Sequence, residues 1–376
     1  MITNPLTYLF TLAFLATFLY FVESKTKLKI FKYIPSVVMI YAFSMFMASM
    51  GIFEYNDEIN KIYKTTKTNL LPAMLFLMLL QVNLKDFFKL GRPLLISYIL
   101  AVLSIAFAFV IVSLGFDFNM QEASAFGALA GSWMGGTANM IAVGSALEVS
   151  QEAFGYALIV DSVNYTLWVM LLLFLVPFSS VFNHFTKADE NKAYLGVAGC
   201  ACSMGATRYW LLIALALSVS LFSQVLSQKI GFLNQTTSVV IISSAIGILG
   251  SFTALKNVNG SNQVATTMLY VIIALIGSKA VFESFNDLGT YVFAGFIILV
   301  IHALIMVIGA KIFKLDLFSI SVASLSNIGG VASAPILAAT HNKALVSVGI
   351  LMAIMGYIIG TFGGLAVGKI LMMLAQ

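Results

Sequence analysis

The chain has 376 residues, of which 60% are hydrophobic and only 9% charged, with a mean hydropathy of +1.00 and a formal net charge of +5. Soluble domains are about half apolar and about a quarter charged, so this composition excludes a soluble globular protein and predicts an all-α polytopic membrane protein. The Lys and Arg residues lie in short loops between apolar runs, with no clustered basic face. Their placement excludes nucleic acid as a partner and makes the lipid bilayer the obligatory one.

A hydrocarbon core about 30 Å thick needs roughly 20 apolar residues per crossing helix. Runs of this kind lie near 5–22, 34–53, 69–84, 94–115, 122–147, 152–178, 209–228, 236–255, 264–282, 289–312, 318–341 and 345–373. The first is followed by Lys25, Lys27, Lys29 and Lys32 and lacks a basic segment before it. This pattern predicts a retained helix with the N-terminus outside a bacterial inner (plasma) membrane. Cys200 and Cys202 are too few for a disulfide framework or a zinc site, and no cofactor is expected.

The longest polar connection, Ser179 to Arg208, lies near the midpoint and suggests a duplication. AGSWMGGTANMIAVGSAL (Ala130–Leu147) has a counterpart in ASLSNIGGVASAPILAATH (Ala323–His341). A shift of 194 positions pairs Ser132 with Ser326, Gly135 with Gly329, Gly136 with Gly330 and Ala138 with Ala332, and it also pairs Met74-Leu75 with Met268-Leu269. The repeats are read as 1–178 and 209–376, joined by a linker at 179–208. Charges orient them. Lys85, Lys89 and Arg92 follow the third run and Asp117 and Glu122 the fourth, whereas Glu283 and Asp287 follow the run at 264–282 and Lys311 and Lys314 the next. Equivalent loops therefore fall on opposite sides, which defines an inverted repeat. Twelve crossings split evenly would leave the halves parallel. Inversion then needs a thirteenth, for which Ala193–Thr207 is the candidate, and it places the C-terminus in the cytoplasm.

Backbone that leaves a helix inside a bilayer is tolerated only where protein buries it or it lines a polar cavity. Gly135, Gly136, Thr137 and Asn139 form one expected break; Asn327, Gly329 and Gly330, followed by Pro335, form the other. Half-helix N-termini there would face an anion and freed carbonyls a cation; the alternative is that these glycines only allow close helix packing. In YALIVDSVNYTLW, Asp161 shares a helical face with Asn164, Tyr165 and Trp168. A carboxylate at mid-membrane costs about 2.5–3.5 kcal/mol, so it needs a task or a partner on a neighbouring helix. His302, in LVIHALIM, is read as a neutral hydrogen-bonding residue, with a proton relay as the alternative. Lys279, Glu283, His341 and Lys343 read as loop or snorkelling residues. Gly356, Gly360, Gly364 and Gly368 form a smooth ridge expected to pack against the second break. The chain contains no HExxH, no GxSxG elbow and no P-loop, so neither an enzyme nor an ATP-driven pump is expected.

GGTANMIAVGSAL, SNIGGVASAP and the mid-helix Asp161 resemble the YjcL-like (DUF819-type) family of integral membrane proteins, from about Leu70 to the C-terminus. That family is grouped with the cation:proton antiporters and the bile-acid:sodium symporters. The resemblance implies that the about 12–13 transmembrane helices counted from the apolar runs form an elevator architecture with crossed discontinuous helices, often in a homodimer. Panel helices would lie at about 5–84 and 209–282, and core helices at about 94–178 and 289–373. It also implies that Ser132, Thr137, Asn139, Ser326, Asn327 and Ser333 line the site, with Asp161 on the helix of the coupling acid and Na+ held near Asp161, Asn139 or Asn327. The antiporters carry an Asn-Asp or Asp-Asp pair where this chain has Asp161-Ser162. The expected function is a secondary transporter coupling Na+ or H+ to a small solute, an organic anion. A monovalent cation/proton antiporter, or a channel or sensor on the same scaffold, is the alternative.

Overall fold

The structure, a computed structural model, describes residues 1–26, 36–82, 84–188, 206–229, 235–258, 260–280, 288–342 and 345–376. The α-helices, in chain order, are α1 (Pro5–Lys25), α2 (Ser36–Ser49), α3 (Asp57–Leu79), α4 (Leu84–Phe88), α5 (Arg92–Phe116), α6 (Met120–Gly135), α7 (Thr137–Ala146) and α8 (Gln151–Leu175). They continue as α9 (Ser179–Thr186), α10 (Ala206–Ser227), α11 (Gln235–Ser251), α12 (Ser261–Gly277), α13 (Leu288–Phe313), α14 (Leu317–Ile328), α15 (Gly330–His341) and α16 (Val346–Leu374). Among the described residues no β-strand occurs beyond an isolated bridge between Ile2 and Phe53. Among the described residues six segments are long and apolar enough to cross a membrane: α1, α5, α8 with α9, α10, α13 and α16. The expected extra crossing at 193–207 lies outside the described residues, except that Ala206 and Thr207 open α10.

Polar caps fix where the helices begin. Asn119 and Glu122 form a reciprocal capping box at the start of α6, and Asp316 Oδ1 accepts from Ser319 N, 2.8 Å, at the start of α14. Each satisfies backbone donors that the first helical turn leaves without an intrahelical partner. Asn56 likewise caps α3, accepting from Ile59 N at 2.8 Å. That helix therefore starts at Asp57 and not at the apolar run near 69, because a hydropathy pattern does not register its polar first half, NKIYKTTKTN.

The chain forms two compact units. The first comprises 1–81, 149–162 and 203–288. Within it α1 packs on α2 and α12, α10 packs on α11 and α3, α2 packs on α12, α11 packs on α3, and α3 packs on α12. Exchanging α1–α2–α3 with α10–α11–α12 maps these contacts onto themselves. Close approach is made by glycine on both sides of the exchange. A Cβ on Gly247 of α11 would lie 2.7 Å from Leu79 Cβ of α3, and one on Gly277 of α12 would lie 2.6 Å from the Tyr41 carbonyl oxygen of α2.

The second unit comprises 82–148, 163–202 and 289–376, and it corrects the reading of 122–147 and 318–341 as interrupted crossings. Both fold back as helical hairpins. A Cβ on Gly127 would lie 2.8 Å from Leu147 Cδ1, and one on Gly131 would lie 2.8 Å from Val143 Cγ2, so α7 returns antiparallel along α6. In the second hairpin the rings of Phe318 and His341, at opposite ends of the sequence segment, are 5.3 Å apart. The arms of 10 to 16 residues are about 15–24 Å long, too short to traverse a core of about 30 Å. Each hairpin enters and leaves by the same end of the unit.

The glycine ridge of α16 also differs from expectation. It meets the first hairpin. A Cβ on Gly368 would lie 3.2 Å from Gly127 Cα, one on Gly364 2.5 Å from Gly131 Cα, and one on Gly360 2.8 Å from Gly135 Cα. Gly127, Gly131 and Gly135 repeat every four residues on α6, so two glycine stripes close antiparallel on one another. Gly349, one turn into α16, reaches the second hairpin, where its Cβ would lie 2.7 Å from the Ala334 carbonyl oxygen.

Candidate functional site

The hairpin tips are built by glycine. Gly136 N donates to the Ser132 carbonyl at 2.6 Å, which is the last bond of α6, and Asn139 N donates to the Gly136 carbonyl at 2.9 Å. Between them Gly136 takes φ 92° and ψ 169°, a region essentially closed to residues with a Cβ. The second tip turns at Gly329 and at Gly330, which has φ 60°. Neither α7 nor α15 has a side-chain cap, since glycine precedes or opens each. The tips meet: a Cβ on Gly330 would lie 3.9 Å from Gly136 Cα.

Polar side chains surround this contact unequally. At the first tip Asn139 is fixed by α16, with its amide Nδ2 donating to the Gly356 carbonyl at 3.1 Å and Thr361 Oγ1 donating to its Oδ1 at 2.7 Å. Ser132 is buried and Thr137 half-buried beside it. At the second tip Asn327 Nδ2 donates to the Ala323 carbonyl of its own helix at 2.9 Å. Its Oδ1, with Ser326 Oγ and Ser333 Oγ, is buried without a hydrogen-bond partner among the described residues. Ser333 Oγ stands against Gly329, and the Tyr165 ring of α8 packs over the same glycine, 2.7 Å from its Cβ position. Buried polar atoms are almost always paired, and each exception calls for an explanation. Three neutral oxygens without a hydrogen-bond partner among the described residues thus fall on the segment that makes the second tip.

The remaining sequence candidates lie elsewhere. Asn164, fully buried, donates to the Val292 carbonyl of α13 at 3.2 Å. Asp161 is half-buried in the 149–162 stretch of the first unit, whereas both tips belong to the second. His302 joins three helices: its Nδ1 lies 2.6 Å from Ser104 Oγ on α5 and its Nε2 lies 2.8 Å from Ser324 Oγ on α14. Ser104 donates onward to the Ala101 carbonyl, and Ser324 accepts from Trp168 Nε1. A neutral imidazole protonated on Nδ1 completes every bond of this chain. Lys279, at the end of α12, sits 3.9 Å from the Tyr55 ring centroid and donates to Asn60 Oδ1; burial holds its ammonium below the usual lysine range. Glu283, Asp287, Lys343 and the two cysteines fall outside the described residues.

Sequence reasoning missed Thr361, Ser104 and Ser324. Thr361 follows a ridge glycine and was absorbed into the packing stripe. The two serines carry no signal in one dimension, because hydroxyls are common in membrane helices and only the fold brings them to His302.

Apolar helices long enough to cross a bilayer define a polytopic α-helical membrane protein. The chain belongs to the family described as protein of unknown function (DUF819), which matches residues 10–374. It is similar to the uncharacterized membrane protein YjcL of Bacillus subtilis (strain 168), with 22% identity over 363 residues covering 89% of each chain.

Proposed function

We propose that the protein is a secondary active transporter whose ion and solute bind at the apposed hairpin tips of the second unit. The observation that carries this reading is the trio of buried, unpartnered oxygens of Ser326, Asn327 and Ser333 beside a glycine-built contact between two hairpin tips. Protein-enclosed irregular backbone at membrane depth is characteristic of ion and substrate pathways. The three oxygens are neutral, and affinity for divalent cations rises with the number of charged ligands, so the set suits a monovalent cation, Na+. The N-termini of α7 and α15 direct backbone N–H groups and the positive ends of their dipoles toward the tips, which favours an anionic solute. Asp161 would act as the titratable coupling group, on the resemblance to transporters that carry an acid on this helix. Two compact units, each gathering segments from both sequence halves, support an elevator in which the second unit carries the site. The reading leaves no role for an enzyme, and a homodimer is its natural assembly.

The test is thermal unfolding of purified protein in NaCl against equal concentrations of KCl and choline chloride. Binding to the native state stabilises by RT ln(1 + [L]/Kd), about 2.7 kcal/mol at a hundredfold excess over Kd. Na+ is expected to raise Tm selectively. Asn327→Ala and Ser333→Ala should weaken that shift, and Asp161→Asn should leave the protein folded while removing its dependence on pH. Equal effects of all three salts would overturn the Na+ site. A Na+ shift intact in Asn327→Ala would remove the second tip from it.

A further inference from the structure

The second unit also contains an apolar crevice of about 560 Å³, lined by none of the tip residues and walled by α8, α9, α13 and α14. Its volume falls within the roughly 300–1,000 Å³ of ligand pockets. Trp168, Leu172, Phe182, Met306, Leu317 and Ile320 are among its walls. The hydroxyls that reach it are already engaged: Ser324 Oγ with Trp168 Nε1 at 2.9 Å and His302 Nε2 at 2.8 Å, and Ser321 Oγ with the Phe318 carbonyl at 3.2 Å. A polar solute would find nothing to replace its water. Hydrocarbon would lose nothing.

One end of the crevice is basic. Phe185 lines the wall, and Lys311 Nζ donates to its carbonyl and lies 4.2 Å from its ring centroid. Leu317, also in the wall, is tied to α9 by its N–H donating to Asn183 Oδ1 at 2.9 Å. Exposed Lys187 and Lys314 occupy the left-handed residues that follow α9 and α13 at this same end. Asp316, between Lys314 and Leu317, is turned inward, its carboxylate bonded to Ser319 N and Oγ at 2.8 and 2.9 Å. Short α9 carries exposed Val181 and Phe185 on a helix that ends in His184 and Lys187, which is the composition of a segment lying in the headgroup region.

We propose that this crevice is a binding site for an anionic phospholipid, with one acyl chain between α8, α9, α13 and α14 and the phosphate against Lys311, Lys187 and Lys314. Lysines at the positive-inside end of a transmembrane unit face the leaflet rich in anionic lipid. A zwitterionic lipid would fill the crevice but leave three lysines without a phosphate of net charge. The site shares no lining residue with the hairpin tips and holds whether or not they transport.

Native mass spectrometry of delipidated protein, titrated with phosphatidylglycerol or phosphatidylcholine of identical chains, tests it. Each lysine near anionic headgroups contributes about 1 kcal/mol, or about fivefold, so the wild type is expected to favour phosphatidylglycerol by at least that factor. Lys187→Gln with Lys311→Gln should erase the preference, and both residues are exposed, so the fold should be retained. Val307→Trp, which narrows the crevice from its rim, should lower occupancy by both lipids. Equal binding of the two lipids by the wild type, or an unchanged preference in the double variant, would overturn the proposal. So would a Val307→Trp protein that binds lipid normally but changes its oligomeric state, since the crevice would then receive a second copy of the chain.

Discussion

Gly136 is the residue on which the first hairpin turns. At φ 92° and ψ 169° it occupies backbone space closed to L-residues with a side chain, at a cost of about 1–3 kcal/mol. A Cβ there would meet nothing within 4 Å, so Gly136→Ala isolates conformational strain from collision. The variant is expected to insert and to lose about 1–3 kcal/mol of stability, measured by denaturant or thermal unfolding in detergent; unchanged stability would mean that the tip relaxes without resistance. The two asparagines show how much of the site could be read from residue types alone. Polar side chains beside paired glycines in apolar runs mark both tips, and Asn139 and Asn327 were found that way. The pattern carries no information about partners. Asn139 is saturated by Gly356 and Thr361, while Asn327 bonds only its own helix through Nδ2 and leaves Oδ1 unpartnered among the described residues. Asn164 shares a helical face with Asp161 yet spends its amide on the Val292 carbonyl. Helical periodicity places a side chain on a face; it does not say which neighbour that face meets.

The elements repeat this lesson at larger size. The run at 122–147 has the length of one crossing, and nothing in its hydropathy distinguishes a kinked rod from two arms folded together. The distinction lies in the antiparallel matches of Gly127 with Leu147 and Gly131 with Val143, which are long-range facts. The ridge of α16 was legible as a packing surface because four glycines recur every fourth residue. Its partner was not, since α6 and the second break both offer small residues, and the choice rests on which stripe continues for three turns. Gly127, Gly131 and Gly135 do. Gly364→Ala would set a Cβ 2.5 Å from Gly131 Cα, with backbone on the receiving side. The helices must separate, and overpacking of this kind costs about 1–3 kcal/mol. Gly115→Ala on α5 is the matched control, because its Cβ would meet nothing within 4 Å and Ala gains up to about 1 kcal/mol over Gly in a helix. Unfolding midpoints are expected to fall for Gly364→Ala and to hold or rise for Gly115→Ala. Equal responses would mean that the glycine seam does not set the helix separation.

At the scale of the whole molecule, the hairpins change the count of crossings and with it the topology. An interrupted helix that crosses moves the chain to the other side, whereas a hairpin returns it. Three segments of each half are long and apolar enough to cross, α1, α5 and α8 with α9 in the first and α10, α13 and α16 in the second; counting α2, α3, α11 and α12 as well, on the apolar runs near 34–53, 69–84, 236–255 and 264–282, would give five crossings per half around one returning hairpin. An odd count per half would invert the second half with no further crossing required at 193–207. The charges of the second unit agree with this count. Ser104 meets His302 and Phe116 meets Phe293, so α5 and α13 run antiparallel, and Arg92 falls at the end that carries Lys311 and Lys314. Asp117 and Glu122 fall at the other, where Glu122 Oε1 accepts from Tyr291 Oη at 2.8 Å. Antiparallel packing of α16 on α6 takes the C-terminus of α16 to this acidic end. Under the positive-inside rule the basic end is cytoplasmic, so the C-terminus is expected outside together with the N-terminus, the reverse of what thirteen crossings imply. Single cysteines placed at Lys187, Arg208 and Gln376 in a Cys200→Ser, Cys202→Ser background separate the two counts. With a membrane-impermeant maleimide on cells whose outer barrier is opened, Gln376→Cys is expected to label at once. Lys187→Cys and Arg208→Cys should label only after the membrane that holds the protein is permeabilised. Labelling of those two from opposite sides would restore a crossing at 193–207, because a chain that meets both faces within so short a stretch must pass through the bilayer between them.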